Sequence, residues 1–363
     1  MFNLLFGRAL ARWLERMTEA PAPESQVERS APPAPVLELS DPQEATSAEP
    51  FVGGDEAALA SPRVARGAMG CLFEIYLVGE DGESLVGAAE QALDEVERLD
   101  RQLSHYRDDS DIARLNAHAW EQWVRVEPRL FELLQRCAAW HAETGGAFDI
   151  TAGPLVRAWG FHDGAHRVPG DEEIAGLLER VGMDRLELDA RDNLVRFLTP
   201  GMEINLGAVG KGYALDEAAD VLRFYHAGRG VLHGGQSTIL ALGAPPAQPG
   251  WELTLRDPRD GSHVETLVLR DEALSTSSGF QQSFEASGRR YGHILDPRGG
   301  YPAQGVVSAW VVAPSAAESD ALSTACFVLG SEGAGAACGG RPGVRALLIE
   351  EDGVTRIGFG EPA

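Results

Sequence analysis

Lysine and arginine together number 31, and only one of them, Lys211, is a lysine. It lies in M-E-I-N-L-G-A-V-G-K-G-Y-A-L-D, residues 202–216, where a short strand is expected to run into a glycine-rich turn and Lys211 to open a helix. Glycines let a backbone approach a ligand closely, and amides at a helix start point towards anions. An ammonium there is a point charge suited to phosphate. The segment is not a Walker A loop: Gly212 follows the lysine in place of Ser or Thr, and Asn205 stands where the first glycine is required. On residue types alone, a glycine turn without a ligand is an equal reading.

Three further segments carry chemistry. In S-D-A-L-S-T-A, residues 319–325, Asp320 lies one helical turn from Ser323 and Thr324. Three hard oxygen donors on one face suit magnesium, completed by water and substrate phosphate; the alternative is that Ser319 or Asp320 caps a helix starting there. T-G-G-A-F-D-I-T-A-G-P-L-V-R-A-W-G-F, residues 144–161, combines glycines, Asp149, threonines and aromatic rings as a ligand-lining loop does, or as a structural turn anchored by Trp159. L-S-T-S-S-G-F, residues 274–280, offers the hydroxyls of Thr276, Ser277 and Ser278 to a phosphate or ribose. In R-R-Y-G-H-I-L-D-P-R-G-G-Y-P, residues 289–302, His293 stands close to Asp296 and could accept a proton, although a lone histidine is more often structural.

Positioning these segments requires a folded body, expected from 63 to 363. A strand is expected at 73–78, then a helix carrying Leu85, Ala89, Ala92, Val96, Leu99 and Leu103 at helical spacing. A second helix, 128–143, is opened by Pro128 and stopped by Gly145 and Gly146. A short helix near 171–181, strands at 194–198 and 202–206 and a helix at 211–226 follow. The last third reads as strands 251–256, 264–269, 306–313 and 344–349, with helices starting near Ser319 and Glu332. Without regular βαβ alternation, this pattern predicts an α+β fold.

Ahead of the body, residues 18–62 are rich in Pro, Ala, Glu and Ser and read as a disordered acidic linker. Residues 1–17 place Phe2, Phe6, Leu10, Trp13 and Met17 opposite Arg8, Arg12 and Arg16, an amphipathic helix for a partner or a membrane surface. No export signal or lipobox is seen and no stretch approaches a membrane span, so a cytoplasmic or peripheral-membrane location is expected. The formal charge of −24 argues against nucleic acid and anionic lipid as general partners, so any phosphate site must be local. Cys71, Cys137, Cys326 and Cys338 lack zinc-site spacing and read as buried free thiols.

Taken in order, these segments resemble the ApbE family of flavin transferases over roughly residues 66–350. R-G-A-M-G with Met69 looks like the family's M-G segment, and S-H-Y-R (104–107) followed by D-S-D-I-A-R-L-N (109–116) looks like its next block. The resemblance implies a mixed-sheet, T-fold-like flavin transferase fold. It implies FAD contacts at Met69, Tyr106, Ala147, Phe148, Asp149, Asn205, Lys211, His293 and Ile294, and magnesium at the Ala208 carbonyl, Asp320, Ser323 and Thr324. The implied reaction moves FMN from FAD to a Thr or Ser hydroxyl of an acceptor protein and releases AMP, with Lys211 adding charge and His293 taking the proton. Departures from the family pattern are Asn205 for Asp, Gln236 for the Asp after Gly234-Gly235, Gly299 for Thr and Cys71 for Thr. They leave two alternatives beside transfer: a magnesium-dependent FAD pyrophosphatase releasing FMN and AMP, and a flavin-binding protein with weakened turnover. An interaction protein working through residues 1–60 is a third.

Overall fold

The computed structural model describes residues 59–359 except 163, 280 and 281, together with the backbone of Leu37–Glu38. The helix expected at 1–17 and most of the linker expected at 18–62 lie outside the described residues. After β1 (Leu37–Glu38) come β2 (Arg63–Ala68), β3 (Cys71–Leu77), α1 (Gly82–Leu103), α2 (Asp111–His118), β4 (Val124–Arg125), α3 (Pro128–Glu143), α4 (Gly153–Ala158) and α5 (Asp171–Leu178). Then follow β5 (Leu186–Asp189), β6 (Leu194–Phe197), α6 (Gly210–Phe224), β7 (Gly230–Gly234), β8 (Thr238–Leu242), β9 (Trp251–Arg256), β10 (His263–Leu269) and β11 (Glu272–Ser278). The hairpin β12 (Ser283–Ala286) and β13 (Arg289–Gly292), β14 (Val306–Ala313), α7 (Ala316–Cys338), β15 (Arg345–Glu350) and β16 (Gly353–Ile357) complete the order.

The fold is α+β. Eight strands form one sheet in the order β16-β15-β14-β11-β8-β7-β3-β2, and every ladder in it is antiparallel. Parallel pairing among the named strands is confined to β1 beside β9. Side-chain alternation divides β14 between two cores. Ala309, Val311 and Ala313 face the apolar side of α7, while Trp310 and Val312 join Trp251, Leu253, Leu267 and Leu269 from β9 and β10. Helices α1 and α6 cover the other half of the sheet, where Phe73, Ile75, Leu232 and Leu240 meet Ala92, Val96, Ala214 and Ala218.

One expectation is corrected. Residues 202–206 are not a ladder strand: Glu203 makes one parallel bridge to Ala152, and the neighbouring backbone groups are satisfied by a side chain and a loop carbonyl. The helices expected to start near Ser319 and Glu332 are both present: they run from Ala316 to Cys338, labelled together as α7, and are separated by a kink at Gly330 (φ 68°, ψ −179°). Taken together, the 23 residues of α7 have the length and composition of a membrane-crossing helix, yet they are kinked at Gly330 and their apolar residues pack beneath β11, β14 and β15.

Candidate active site

One cavity of about 580 Å³ gathers the segments carrying chemistry, a volume within the ~300–1,000 Å³ usual for small-molecule and cofactor sites. Of the residues expected at the site, all line it except Phe148 and Ser323. Between β2 and β3 the chain turns through Met69 and Gly70, both at positive φ (49° and 73°). This is a type I′ geometry, relaxed at Gly70 and strained at Met69, and it holds Met69 at the cavity wall.

The end of α1 delivers His105 and Tyr106. Tyr106 is 62% exposed, and its ring stacks on His162 (4.7 Å, 22°) and sits 3.8 Å from His105. Asn205 Nδ2 donates to His105 Nε2 at 3.4 Å, and burial drives the His105 pKa down to about 4, so this imidazole is neutral at pH 7. Asn205 is itself fixed on both sides. Its Oδ1 accepts from Gly207 N at 2.8 Å, its own N–H donates to the Ile150 carbonyl at 2.7 Å, and Asn116 clamps both backbone groups of Ile204 at 3.0 and 2.7 Å. Asn116 had only its place in the D-S-D-I-A-R-L-N block to mark it.

The 144–161 segment does both jobs read for it. Ala147, Asp149 and Phe161 line the cavity, while Trp159 is fully buried and donates its indole N–H to the Gly300 carbonyl at 2.9 Å. The Asp149 carboxylate accepts from Thr151 N (2.7 Å) and Thr151 Oγ1 (2.6 Å) and faces His141 Nδ1 at 3.2 Å. That hydrogen bond raises the His141 pKa above its ordinary value. Phe148 turns away from the cavity and packs edge-on against Trp140, a core role in place of a wall role.

Helices α6 and α7 bring the lysine and the carboxylate to one wall. Gly212 makes this approach possible: a Cβ there would stand 2.1 Å from the Ala316 oxygen. Its N–H donates to Asp320 Oδ2 at 3.1 Å, and Thr238 Oγ1 donates to Asp320 Oδ1 at 3.4 Å. Asp320 does not cap the helix. Ser315 is the N-cap, and the buried Asp216 carboxylate of α6 accepts from Ala316 N (2.8 Å) and Ala317 N (3.0 Å). Burial raises the Asp216 pKa against those hydrogen bonds. Asp320 is thus 5% exposed, has two neutral donors and no ion pair among the described residues. A buried carboxylate so poorly compensated is suited to a cation. Thr324 lines the cavity with it; Ser323 is buried behind the wall, its hydroxyl donating to the Asp320 carbonyl at 3.0 Å and 3.0 Å from Ser277 Oγ.

On the opposing side, His293 Nδ1 donates to the Gln282 carbonyl at 3.1 Å, which leaves Nε2 as the acceptor. Burial chiefly, then the Lys211 charge, lowers its pKa below the ordinary value. Asp296 does not orient it, as its carboxylate is taken by Arg298 at 2.8 Å through both oxygens. Burial pushes the Cys71 thiol up to about 11, so it stays protonated in the wall. Asp100, unremarked in the sequence because it continues the polar face of α1, also lines the cavity and forms no side-chain hydrogen bond among the described residues.

Comparison with known proteins follows the same segments. The ApbE family profile matches residues 69–348. The FAD:protein FMN transferase of Treponema pallidum (strain Nichols) is 34% identical over 289 residues, which cover 74% of this chain and 80% of that protein. The Escherichia coli (strain K12) protein of the same name is 28% identical over 293 residues, 78% and 83% of the two chains. Among solved structures, the ApbE protein of Thermotoga maritima superposes with a TM-score of 0.76 at 30% identity, covering 82% of this chain and 97% of that one. The flavinyl transferase ApbE of Pseudomonas stutzeri gives 0.72 at 28% identity over 83% and 95%. The family profile spans well over half of the sequence, and the chain belongs to the ApbE family.

Proposed function

We propose that this protein is a magnesium-dependent FAD:protein FMN transferase, moving FMN from FAD to a Thr or Ser hydroxyl of an acceptor protein and releasing AMP. The observation that carries this reading is the meeting of Lys211, Asp320, Thr324 and a neutral His293 around one cavity. Relatives named FAD:protein FMN transferase support the donor and the product.

Magnesium fits the residues present: Asp320 is buried with no ion pair among the described residues, and Thr324 and Ala208, which line the same cavity, carry a hydroxyl and a carbonyl as hard oxygen donors. When bound, it would supply charge neutralisation for the pyrophosphate. Lys211 contributes a second positive charge to the phosphates from the first turn of α6. The Tyr106–His162 stack offers a planar surface at the rim for a flavin or adenine ring. The acceptor hydroxyl attacks the phosphorus on the riboflavin side, its proton passes to His293 Nε2, and the bond to the AMP oxygen breaks. Neutrality of His293 at pH 7 leaves that lone pair available. Catalysis of this kind rests on positioning and charge stabilisation.

The test is AMP release from FAD, followed by chromatography with and without an acceptor flavoprotein. Acceptor-dependent AMP supports transfer; equal AMP and free FMN without acceptor would make the protein a pyrophosphatase instead.

A further inference from the structure

We propose that Cys326 and Cys338 are a dithiol–disulfide pair, a reversible modification site on the helix that carries Asp320 and Thr324. Their Sγ atoms stand 3.3 Å apart. In an unbroken helix, residues twelve apart lie about 18 Å from each other along the axis. The break at Gly330, in a left-handed conformation open to glycine alone, folds the second half of α7 back so that Cys338 meets Cys326. A disulfide needs about 2.05 Å between sulfurs, so about 1.3 Å of closure joins them.

Cys326 lies before the break and Cys338 after it, so Cys338 is the thiol that opening of the second half of α7 exposes first, and it is the nucleophile. Both sulfurs are fully buried among Val311, Leu322, Phe327 and Ala334. Access comes from the segment after the break, where Gly333 and Gly335 weaken the helix and Gly339 and Gly340 end it, so that local opening reaches Cys338. Cys71 and Cys137 have no such partner, and burial raises both thiols.

The oxidant is a small disulfide such as glutathione disulfide. The Cys338 thiolate attacks one of its sulfurs and expels a glutathione thiolate. The Cys326 thiolate then attacks the mixed disulfide at Cys338 and expels the second, and the two thiol protons end on two glutathiones. The product braces both halves of α7 across Gly330.

The experiment incubates the folded full chain with glutathione disulfide, quenches with acid, alkylates in denaturant and digests with trypsin. Both cysteines fall in one stretch after Arg298 that contains no Lys or Arg before Arg341. The expected result is that peptide about 2 Da lighter than its dithiol form and closed to alkylation until reductant is added, with Cys137 alkylated throughout. In Cys338→Ser the light peptide should vanish and Cys326 should take one alkyl group or one glutathione. Two alkyl groups or two glutathiones on the wild-type peptide, under conditions that fully oxidise an unfolded control, overturn the proposal. So does a disulfide that forms only once the chain is unfolded.

Discussion

Replacing Gly212 by alanine is the smallest change that should prise Lys211 and Asp320 apart. The new Cβ would lie 2.1 Å from the Ala316 oxygen, 2.5 Å from its carbonyl carbon and 2.8 Å from Ala317 Cα. All three are backbone atoms, so no rotamer change relieves the overlap, and α6 and α7 must separate by about 1 Å in a core packed at crystal-like density. That shift stretches the 3.1 Å bond from Gly212 N to Asp320 and strains the Asp216 contacts to Ala316 and Ala317 one turn further along α6. Overpacking costs about 1–3 kcal/mol and a buried carboxylate losing a donor about 1–3 more, against about 1 gained from helix propensity. A net loss of about 3 kcal/mol is expected by urea unfolding, with FAD turnover down at least about tenfold. Wild-type turnover with stability unchanged to within about 0.5 kcal/mol would show that the α6–α7 approach does not build the site.

Other expectations follow from single contacts. Asp216→Ala removes the acceptor for Ala316 N and Ala317 N and should cost about 2 kcal/mol in chemical denaturation, with Asp216→Asn costing less because the desolvated charge goes with it. Asp320→Asn should lose turnover by at least about 100-fold while leaving the unfolding midpoint near wild type, since a buried, poorly compensated charge is removed. Lys211→Met should raise the His293 pKa towards 6.5 in an NMR titration, because an ammonium that resists imidazole protonation is gone; no movement would separate the two residues electrostatically. Folded His105 refuses a proton until about pH 4 whereas the unfolded chain takes it near 6.5, so stability should fall as pH drops through that window. His105→Gln should flatten that part of the curve.

Much of the site was legible because its chemistry concentrates in short segments. The single ammonium, the G-K-G turn and the Asp320–Thr324 spacing all reach one cavity. Helix α1 was readable from its helical spacing and α3 from Pro128 and the Gly145-Gly146 stop, while β9, β10, β14 and β15 stood out as strand-like runs. What escaped was written in tertiary partners. The strands β7 and β8 are buried on both faces or carry glycine, so no alternation marks them. Extended chain at 202–206 looks like a strand, yet Asn116, distant in sequence, takes its hydrogen bonds. Phe148 and Ser323 sit beside lining residues but point into the core, a distinction of side-chain direction that spacing does not encode. Helix capping at Ser319 or Asp320 was equally consistent with composition; Ser315 and Asp216 do it, and this frees Asp320 for the cavity.

The most direct measurement is the mass of an acceptor flavoprotein after incubation with FAD, Mg²⁺ and this protein. The account predicts a gain equal to one FMN less water, absent with chelator and absent with Asp320→Ala. An acceptor that gains the flavin equally well from Asp320→Ala, or with every divalent ion removed, would contradict it.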